Sequence, residues 1–193
     1  SVRHTLKNDK YKLHIIRDDA KLPNQMSPEG YSVFIRSTVE VISKDWLEHM
    51  IAACSRKPIG AVGIKLYQKH KEIVWHAGMI ENMRGFAFAG IPRESCGYFH
   101  RDALAQYVDG VTNAFVMIPN FLYNELNRMD NTWISEEASL CKKIRALGYE
   151  ILFYPFVEGY ICEKISRKPY RHLGGSTYYN PNLSLRSPGF YLE

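Results

Sequence analysis

Trp133–Tyr154, WISEEASLCKKIRALGYEILFY, is the stretch that decides the fold class, because it predicts a helix followed by a buried strand. Leu140, Ile144 and Leu147 are spaced by four and three residues, which places them on one apolar helix face. Gly148 suits the left-handed position that commonly ends a helix. We therefore expect a helix that packs on a core and ends in a tight turn.

Both ends of this stretch carry further signals. Ser135 is predicted to be the N-cap, so Glu136 and Glu137 fall in the first turn, at the positive end of the helix dipole. Glu150–Tyr154 is predicted to be a strand that ends at Pro155. Acidic residues in a first turn are common in ordinary helices, so the carboxylate pair allows both a stabilising and a functional interpretation.

Strands and helices are predicted to alternate along the rest of the chain. Predicted strands cover Tyr11–Ile16, Tyr31–Ile35, Ile59–Tyr67, Glu72–His76 and Val111–Ile118, and predicted helices run from the N-cap Ser43 to Cys54 and from Pro119 to Leu126. The third and fourth strands are separated by only a few residues, which favours a hairpin. This alternation predicts an α/β domain in layers.

Size and charge narrow the class of protein. The 193 residues suit one domain with a real core, which we expect to span residues 1–193. Because the chain starts at Ser1 and not at Met, we expect a fragment or a trimmed form. Residues 1–7 lack the apolar region of a signal peptide, so we expect none. No apolar run is long enough to span a membrane. The net charge of +5 suits an anionic sugar nucleotide or an anionic membrane surface, but no basic cluster indicates nucleic acid.

Several segments resemble those of one family in the same order. Residues 136–151, EEASLCKKIRALGYEI, resemble the E-D-x-D-L-C-x-R-x-R-x-x-G-Y-x-I segment of family-2 glycosyltransferases with the GT-A fold, of the bacterial surface-polysaccharide type. The other similar segments are Phe34–Ser43, Gly60–Tyr67, Ile73–Gly78, Val111–Ala114 and Tyr178–Ser184. The resemblance covers about residues 31–185. It implies a partial GT-A-like mixed sheet flanked by helices, in which the N-terminal nucleotide-binding half is largely absent.

The resemblance also implies roles for particular residues. Glu137 takes the position of the general base that activates the acceptor hydroxyl. The residues expected to bind substrate are Glu136, His76, Trp133, Thr112, Tyr178, Tyr179 and Asn180, and those expected to face the donor phosphates are Arg36, Ser37 and Thr38. His76 could instead be structural or order the loop after it, the tryptophan could be buried, and the tyrosines could belong to a tail latched over the core.

The metal site of the family is degenerate in this sequence. Arg36-Ser37-Thr38 stands where the family has its D-x-D motif, and Ile161-Cys162 stands near its later histidine ligand. Mg²⁺ or Mn²⁺ is expected for the family, but these side chains lack the hard anionic oxygens that such ions prefer, so we expect no metal ligands here. Arg36 could neutralise the diphosphate itself, or it could be a surface residue of a decayed site.

Two functions therefore follow from the resemblance. One is inverting sugar transfer from a nucleotide-sugar donor to a polysaccharide or glycan acceptor, in the cytoplasm or peripherally at the inner membrane. The other is a non-catalytic glycan-binding or scaffolding role in polysaccharide assembly. The sequence names neither the sugar, the linkage nor the oligomeric state.

We predict that Cys54, Cys96, Cys141 and Cys162 form no disulfide in the native protein. They are far apart and include no C-x-x-C pair, which favours reduced thiols over a zinc site or a disulfide framework. Alkylation without reductant, followed by mass spectrometry, should label every accessible thiol. A cross-linked peptide would count against a cytosolic location.

Overall fold

A mixed β-sheet organises the part of the chain that the computed structural model describes, residues 23–80, 86–95, 98–129 and 137–162. Its strands are β1 (Tyr31–Ile35), β2 (Val39–Val41), β3 (Ile59–Gln68), β4 (Ile73–His76), β5 (Gln106–Val108), β6 (Phe115–Pro119) and β7 (Glu150–Ile161). The helices are α1 (Trp46–Cys54), α2 (Asn120–Met129) and α3 (Glu137–Ala146), with a 3₁₀ turn at Tyr98–Ala103.

The strands are ordered β1-β6-β3-β7-β2, with β4 added to β3 and β5 added to β7. The β3 and β7 strands run parallel, and the other pairs are antiparallel. The predicted mixed sheet flanked by helices is therefore confirmed. No helix in the described ranges is long and apolar enough to cross a membrane.

Strand β3 is the centre of the core because it is buried on both faces. Val62, Ile64 and Leu66 share one apolar cluster with Trp46 and Met50 of α1. Alternate residues of a strand point to opposite faces, so Ala61 packs on the other side. There it joins a cluster that includes residues of α2 and α3, namely Leu122, Leu126, Leu140 and Ile144. The near-continuous apolar sequence of β3 reflects this double burial.

Several predicted elements are confirmed. Strand β1 has the predicted bounds, and β3 and β4 form the predicted hairpin. In α3, Leu140 and Ile144 are fully buried, as their spacing predicted. Gly148 has a φ of 84°, and its N–H donates to the carbonyl of Arg145, so it ends the helix in the left-handed region.

The prediction that Pro155 ends its strand was wrong. Strand β7 continues through Pro155 to Ile161. Its pairing with β3 shifts register near the proline. Ile64 of β3 is opposite Tyr154, whereas the next residue, Lys65, is opposite Glu158. Residues 155–157 therefore lie in a bulge, where a proline removes no hydrogen bond from the ladder.

Two further boundaries were wrong for local reasons. Asp45, with a φ of 50°, directly precedes α1 and makes no side-chain cap bond. Ser43 is not the N-cap, because its Oγ accepts a hydrogen bond from the N–H of Glu158 at 2.8 Å.

The predicted strand Val111–Ile118 begins only at Phe115. The short strands β2 and β5 and the 3₁₀ turn were not predicted, because three to six residues carry too little periodicity. The predicted strand Tyr11–Ile16 lies outside the described residues.

We predict that Gly63→Ala lowers the free energy of unfolding by about 1–3 kcal/mol, the usual cost of overpacking a core. A methyl group built on Gly63 would lie 2.5 Å from Cβ of Val111, so one of the two residues must move. Urea unfolding of Gly63→Ala, Val111→Ala and the double variant measures the coupling. Val111→Ala keeps Cβ but removes Cγ1 and Cγ2, which would lie 2.6 and 3.0 Å from the new methyl group, so it relieves part of the clash. The double variant should therefore lose less stability than the sum of the single losses. Strictly additive losses would contradict the close contact.

Candidate active site

Between β5 and β6, residues Gly110–Ala114 form a connecting segment that touches four other parts of the fold. Val111 packs its side chain on the backbone of Gly63 in the central strand. Its N–H donates to Sγ of Cys141 in α3 at 3.3 Å. In the segment, the N–H groups of Val111, Thr112 and Ala114 bond to side chains, whereas Gly110 pairs with the main chain of Met79.

His76, at the end of β4, holds the middle of the connecting segment. Its Nε2 accepts hydrogen bonds from the N–H of Thr112 and the N–H of Gly78, both at 3.2 Å. The ring is fully buried and packs edge-on against Phe86. Burial lowers the pKa of His76 to about 3, because the charged ring would lose its hydration and Nε2 its acceptor role. This geometry favours the interpretation that His76 orders the loop.

Thr112, expected to bind substrate, is itself fully buried. Its Oγ1 accepts a hydrogen bond from the N–H of Ala114 at 3.1 Å, which makes a tight local turn. Through this turn the side chain shapes the connecting segment that leads to β6.

Arg36 meets the connecting segment where β1 ends. Its N–H donates to the carbonyl of Ala114 at 2.9 Å, and its Nη2 donates to Oδ1 of Asn113 at 2.6 Å. Arg36 and Ser37 are exposed, whereas Asn113 is only 7% exposed. The guanidinium of Arg36 therefore lies at the surface and is hydrogen-bonded to the buried side-chain amide of Asn113.

Thr38 is tied to the far edge of the sheet. Its carbonyl accepts the N–H of Cys162 at 2.8 Å, so the two places where the sequence resemblance locates a degenerate metal site lie together. The Oγ1 of Thr38 is buried and has no hydrogen-bond partner among the described residues. Within those same residues, no group of three or more His, Cys, Asp or Glu side chains could hold a metal ion. The guanidinium, hydroxyl and thiol groups at this place do not fit a hard divalent cation.

Glu137 is the first residue of α3. Four residues later, Cys141 contacts Val111, so the first turns of this helix lie beside the connecting segment. The structure describes the backbone of Glu137 but not its side chain. Other expected substrate-binding residues, Glu136, Trp133, Tyr178, Tyr179 and Asn180, lie outside the described residues.

Two polar features of this region were missed in the sequence. Asn113 stands where the similar family segment has glycine, and nothing in its spacing indicates a bond to Arg36. Lys65 is nearly buried, and its Nζ lies 2.7 Å from Oδ2 of Asp102, which is fully buried in the 3₁₀ turn. A lysine in an otherwise apolar strand was the available signal, because a buried charge requires a partner.

The Lys65–Asp102 ion pair joins β3 to the 3₁₀ turn close to the residues of β3 that meet the connecting segment and β4. Lys65 lies two residues after Gly63, which contacts Val111, and one residue before Leu66, which is opposite His76. The pair ties the 3₁₀ turn to the sheet. Removing one partner would leave an uncompensated buried charge, so the two residues together stabilise the attachment of the 3₁₀ turn to the sheet.

Comparison with known proteins gives two partial matches. The chain is 34% identical over 186 residues to the uncharacterized protein y4gI of Sinorhizobium fredii, a match that covers 82% of this chain and 20% of that protein. It is 25% identical over 177 residues to the O-antigen biosynthesis protein RfbC of Myxococcus xanthus, covering 79% of this chain and 14% of that protein. The chain thus spans a fifth or less of the length of these relatives. No protein-family model matches it.

We predict that His76 makes the stability of the protein pH-dependent. Because its pKa is about 3 in the folded state and about 6.5 when unfolded, the unfolded state binds more protons between these values. The stabilisation is therefore complete above pH 6.5 and declines as the pH falls toward 3, by up to ~1.4 kcal/mol per pH unit. Urea unfolding of the wild type and of His76→Gln between pH 5 and 7.5 measures the difference. Parallel pH profiles would show that His76 titrates normally.

Proposed function

We propose that this chain is the acceptor-side part of an inverting, family-2-like glycosyltransferase with a GT-A-like fold, acting in polysaccharide assembly. The observation that carries this proposal is that three family-like segments, distant in sequence, meet a fourth, the connecting segment with Val111–Ala114. The three are the end of β1 at Arg36, the end of β4 at His76, and α3 at Cys141. The name of the Myxococcus relative, an O-antigen biosynthesis protein, supports the same class of pathway.

In this proposal Glu137 is the general base. It removes the proton from an acceptor sugar hydroxyl, and the oxygen attacks the anomeric carbon of the donor from the opposite side. The bond from that carbon to the diphosphate breaks, its electron pair leaves with the phosphate oxygen, and the configuration inverts. The negative charge of Glu137 is favoured by the position of the residue at the N-terminus of α3.

The buried polar groups around the connecting segment serve this chemistry by fixing geometry. His76 and Thr112 hold the main chain, and the Lys65–Asp102 pair holds the 3₁₀ turn beside it. A rigid frame of this kind keeps a donor and an acceptor at reacting distance. Direct contacts with sugars are proposed for Glu136, Trp133, Tyr178, Tyr179 and Asn180.

A second proposal is a non-catalytic glycan-binding or scaffolding relative, also in polysaccharide assembly. Arg36, Ser37 and Thr38 favour it, because they replace the acidic residues of the family's metal site. Both proposals place the protein in the cytoplasm or at the cytoplasmic side of the inner membrane, where nucleotide sugars are consumed.

We predict that Glu137→Gln in the intact protein lowers the rate of sugar transfer by ~10²–10⁴, the usual contribution of a general base. Gln keeps the shape of Glu but cannot take a proton. Transfer from radiolabelled sugar nucleotides to a glycan acceptor is measured for both proteins. The thermal midpoint should change little, because a first-turn Glu contributes only about 0.3–1 kcal/mol through the helix dipole.

The comparison variant is Glu136→Gln, which removes the same charge from the neighbouring position in the sequence. Because Glu136 is proposed to contact the sugar but not to take the proton, this variant should raise KM more than it lowers kcat, whereas Glu137→Gln lowers kcat. Equal losses in both variants would indicate a general electrostatic effect and remove the role of Glu137. Absence of transfer from any sugar nucleotide by the wild type would favour the binding or scaffolding proposal.

A further inference from the structure

Helix α3 meets the connecting segment through a buried thiol. We propose that Cys141 is a positioning residue, whose thiol fixes the register of α3 along the segment so that the main chain of Glu137 lies level with Thr112 and Asn113. For catalysis this rests on the proposed function, because Glu137 is the general base proposed there. The register itself is a property of the fold and is measurable without sugar transfer.

The side chain of Cys141 bonds to both main-chain groups of Val111. Its Sγ accepts the N–H of Val111 at 3.3 Å, and the thiol donates to the carbonyl of the same residue at 3.6 Å. The second bond needs the thiol proton, because a thiolate has none to donate. Sulfur is a weak hydrogen-bonding partner. Two bonds to one residue nevertheless oppose any sliding of the helix along the segment.

The packing around Cys141 is close. A methyl group built on Gly110 would lie 3.4 Å from both Cβ and Sγ of Cys141, so the helix meets the main chain of the segment at van der Waals distance. A larger side chain at either position would hold α3 further away. At neighbouring positions of the helix, Leu140 and Ile144 are fully buried in the core, which opposes rotation of α3.

A second contact shows the direction in which α3 runs along the segment. Nη1 of Arg145 lies 2.9 Å from Oδ1 of Asp109, directly before the connecting segment. Arg145 follows Cys141 by four residues, whereas Asp109 precedes Val111 by two. The helix and the segment therefore run in opposite directions. Because residues four apart lie on one face of a helix, a single face of α3 makes both contacts.

The two spacings also match in length. Four helical residues rise about 6 Å, and two residues of extended chain span roughly 6.6 Å. One turn from Cys141 toward the start of α3 leads to Glu137, which is about 40° around the axis and so on nearly the same face. The corresponding step along the segment leads from Val111 to Thr112 and Asn113. The register set by the thiol therefore places the main chain of Glu137 beside these two residues.

A fixed register matters for proton transfer. A general base must lie within hydrogen-bonding reach of the hydroxyl that it deprotonates, and a misplacement of about 1 Å can lower the rate about a hundredfold. Thr112 is fully buried and its N–H is held by His76, so the segment is a rigid reference. The thiol of Cys141 transmits this position to the helix that carries the base.

Nuclear Overhauser contacts measured on the 193-residue chain test the register. We expect contacts from the main-chain hydrogens of Glu137 to hydrogens of Thr112 or Asn113. Cys141→Ala removes both bonds to Val111 and should weaken these contacts, whereas Cys141→Ser keeps a donor and an acceptor and should retain them. The absence of these contacts in the wild type, or contacts that are unchanged in Cys141→Ala, would overturn the inference.

Steady-state kinetics of sugar transfer test the role in catalysis. Cys141→Ala should lower kcat by about 10–100-fold, the effect of a misplaced base. KM should change by less than about twofold, because Cys141 touches no substrate. Cys141→Ser should recover most of the lost kcat. A role in filling space alone does not predict this recovery, since both variants remove the volume of the sulfur.

Ile144→Val is the matched control. It trims a fully buried side chain of the same helix and leaves the bonds to Val111 in place. This variant should lower the thermal midpoint, because it removes a buried methyl group, but it should keep the wild-type kcat. An equal loss of kcat in Ile144→Val and Cys141→Ala would show that general loosening of α3 is responsible, and it would overturn the specific role of the thiol.

The two kinds of measurement separate this inference from the proposed function. Wild-type kcat in Cys141→Ala, together with lost transfer in Glu137→Gln, would overturn the positioning role while the function stands. Transfer that depends on Glu137 without the expected contacts would overturn the register and also leave the function intact. The expected contacts in a chain that transfers no sugar would support the register, whereas the role of Glu137 as a base falls.

Discussion

The close packing of the Val111 side chain on the Gly63 backbone determines how the connecting segment sits on the sheet. A side chain on residue 63 would occupy the volume that Val111 fills. Because the contact involves the central strand, buried on both faces, neither partner can move away without opening the core. The position of Thr112, Asn113 and Ala114 above the sheet follows from it.

The groups bound to the connecting segment depend on that position. His76 accepts the N–H of Thr112, Cys141 accepts the N–H of Val111, and Asn113 accepts a bond from Arg36. Each of these side chains comes from a different element, so the segment links β1, β4 and α3 across the sheet. Buried main-chain groups in an irregular segment need such partners, and two of the partners here, His76 and Arg36, are residues to which the family resemblance gave a role.

Two sets of buried ionisable side chains stabilise this region, one in the neutral form and the other as a charged pair. His76 remains neutral, because both of its described bonds need an unprotonated Nε2. Lys65 and Asp102 meet as an ion pair, and one carboxylate oxygen of Asp102 has no partner among the described residues. A neutral acceptor and a paired charge are two solutions to the cost of placing polar groups in a core. Both hold loops beside the sheet.

The sequence by itself determined the elements that have a long apolar pattern or that end at a glycine with a left-handed backbone conformation. The buried strand Ile59–Gln68, the hairpin after it, the face of α3 with Leu140 and Ile144, and the turn at Gly148 follow from local periodicity and from the freedom of glycine. The tertiary structure alone decided that Pro155 lies in a bulge, that Ser43 bonds to Glu158 instead of capping a helix, and that Asn113 orients Arg36. These last features join residues about 77 to 115 positions apart, and no local pattern encodes such a contact. They depend on strand register and on the depth of packing, which exist only once the whole sheet has formed.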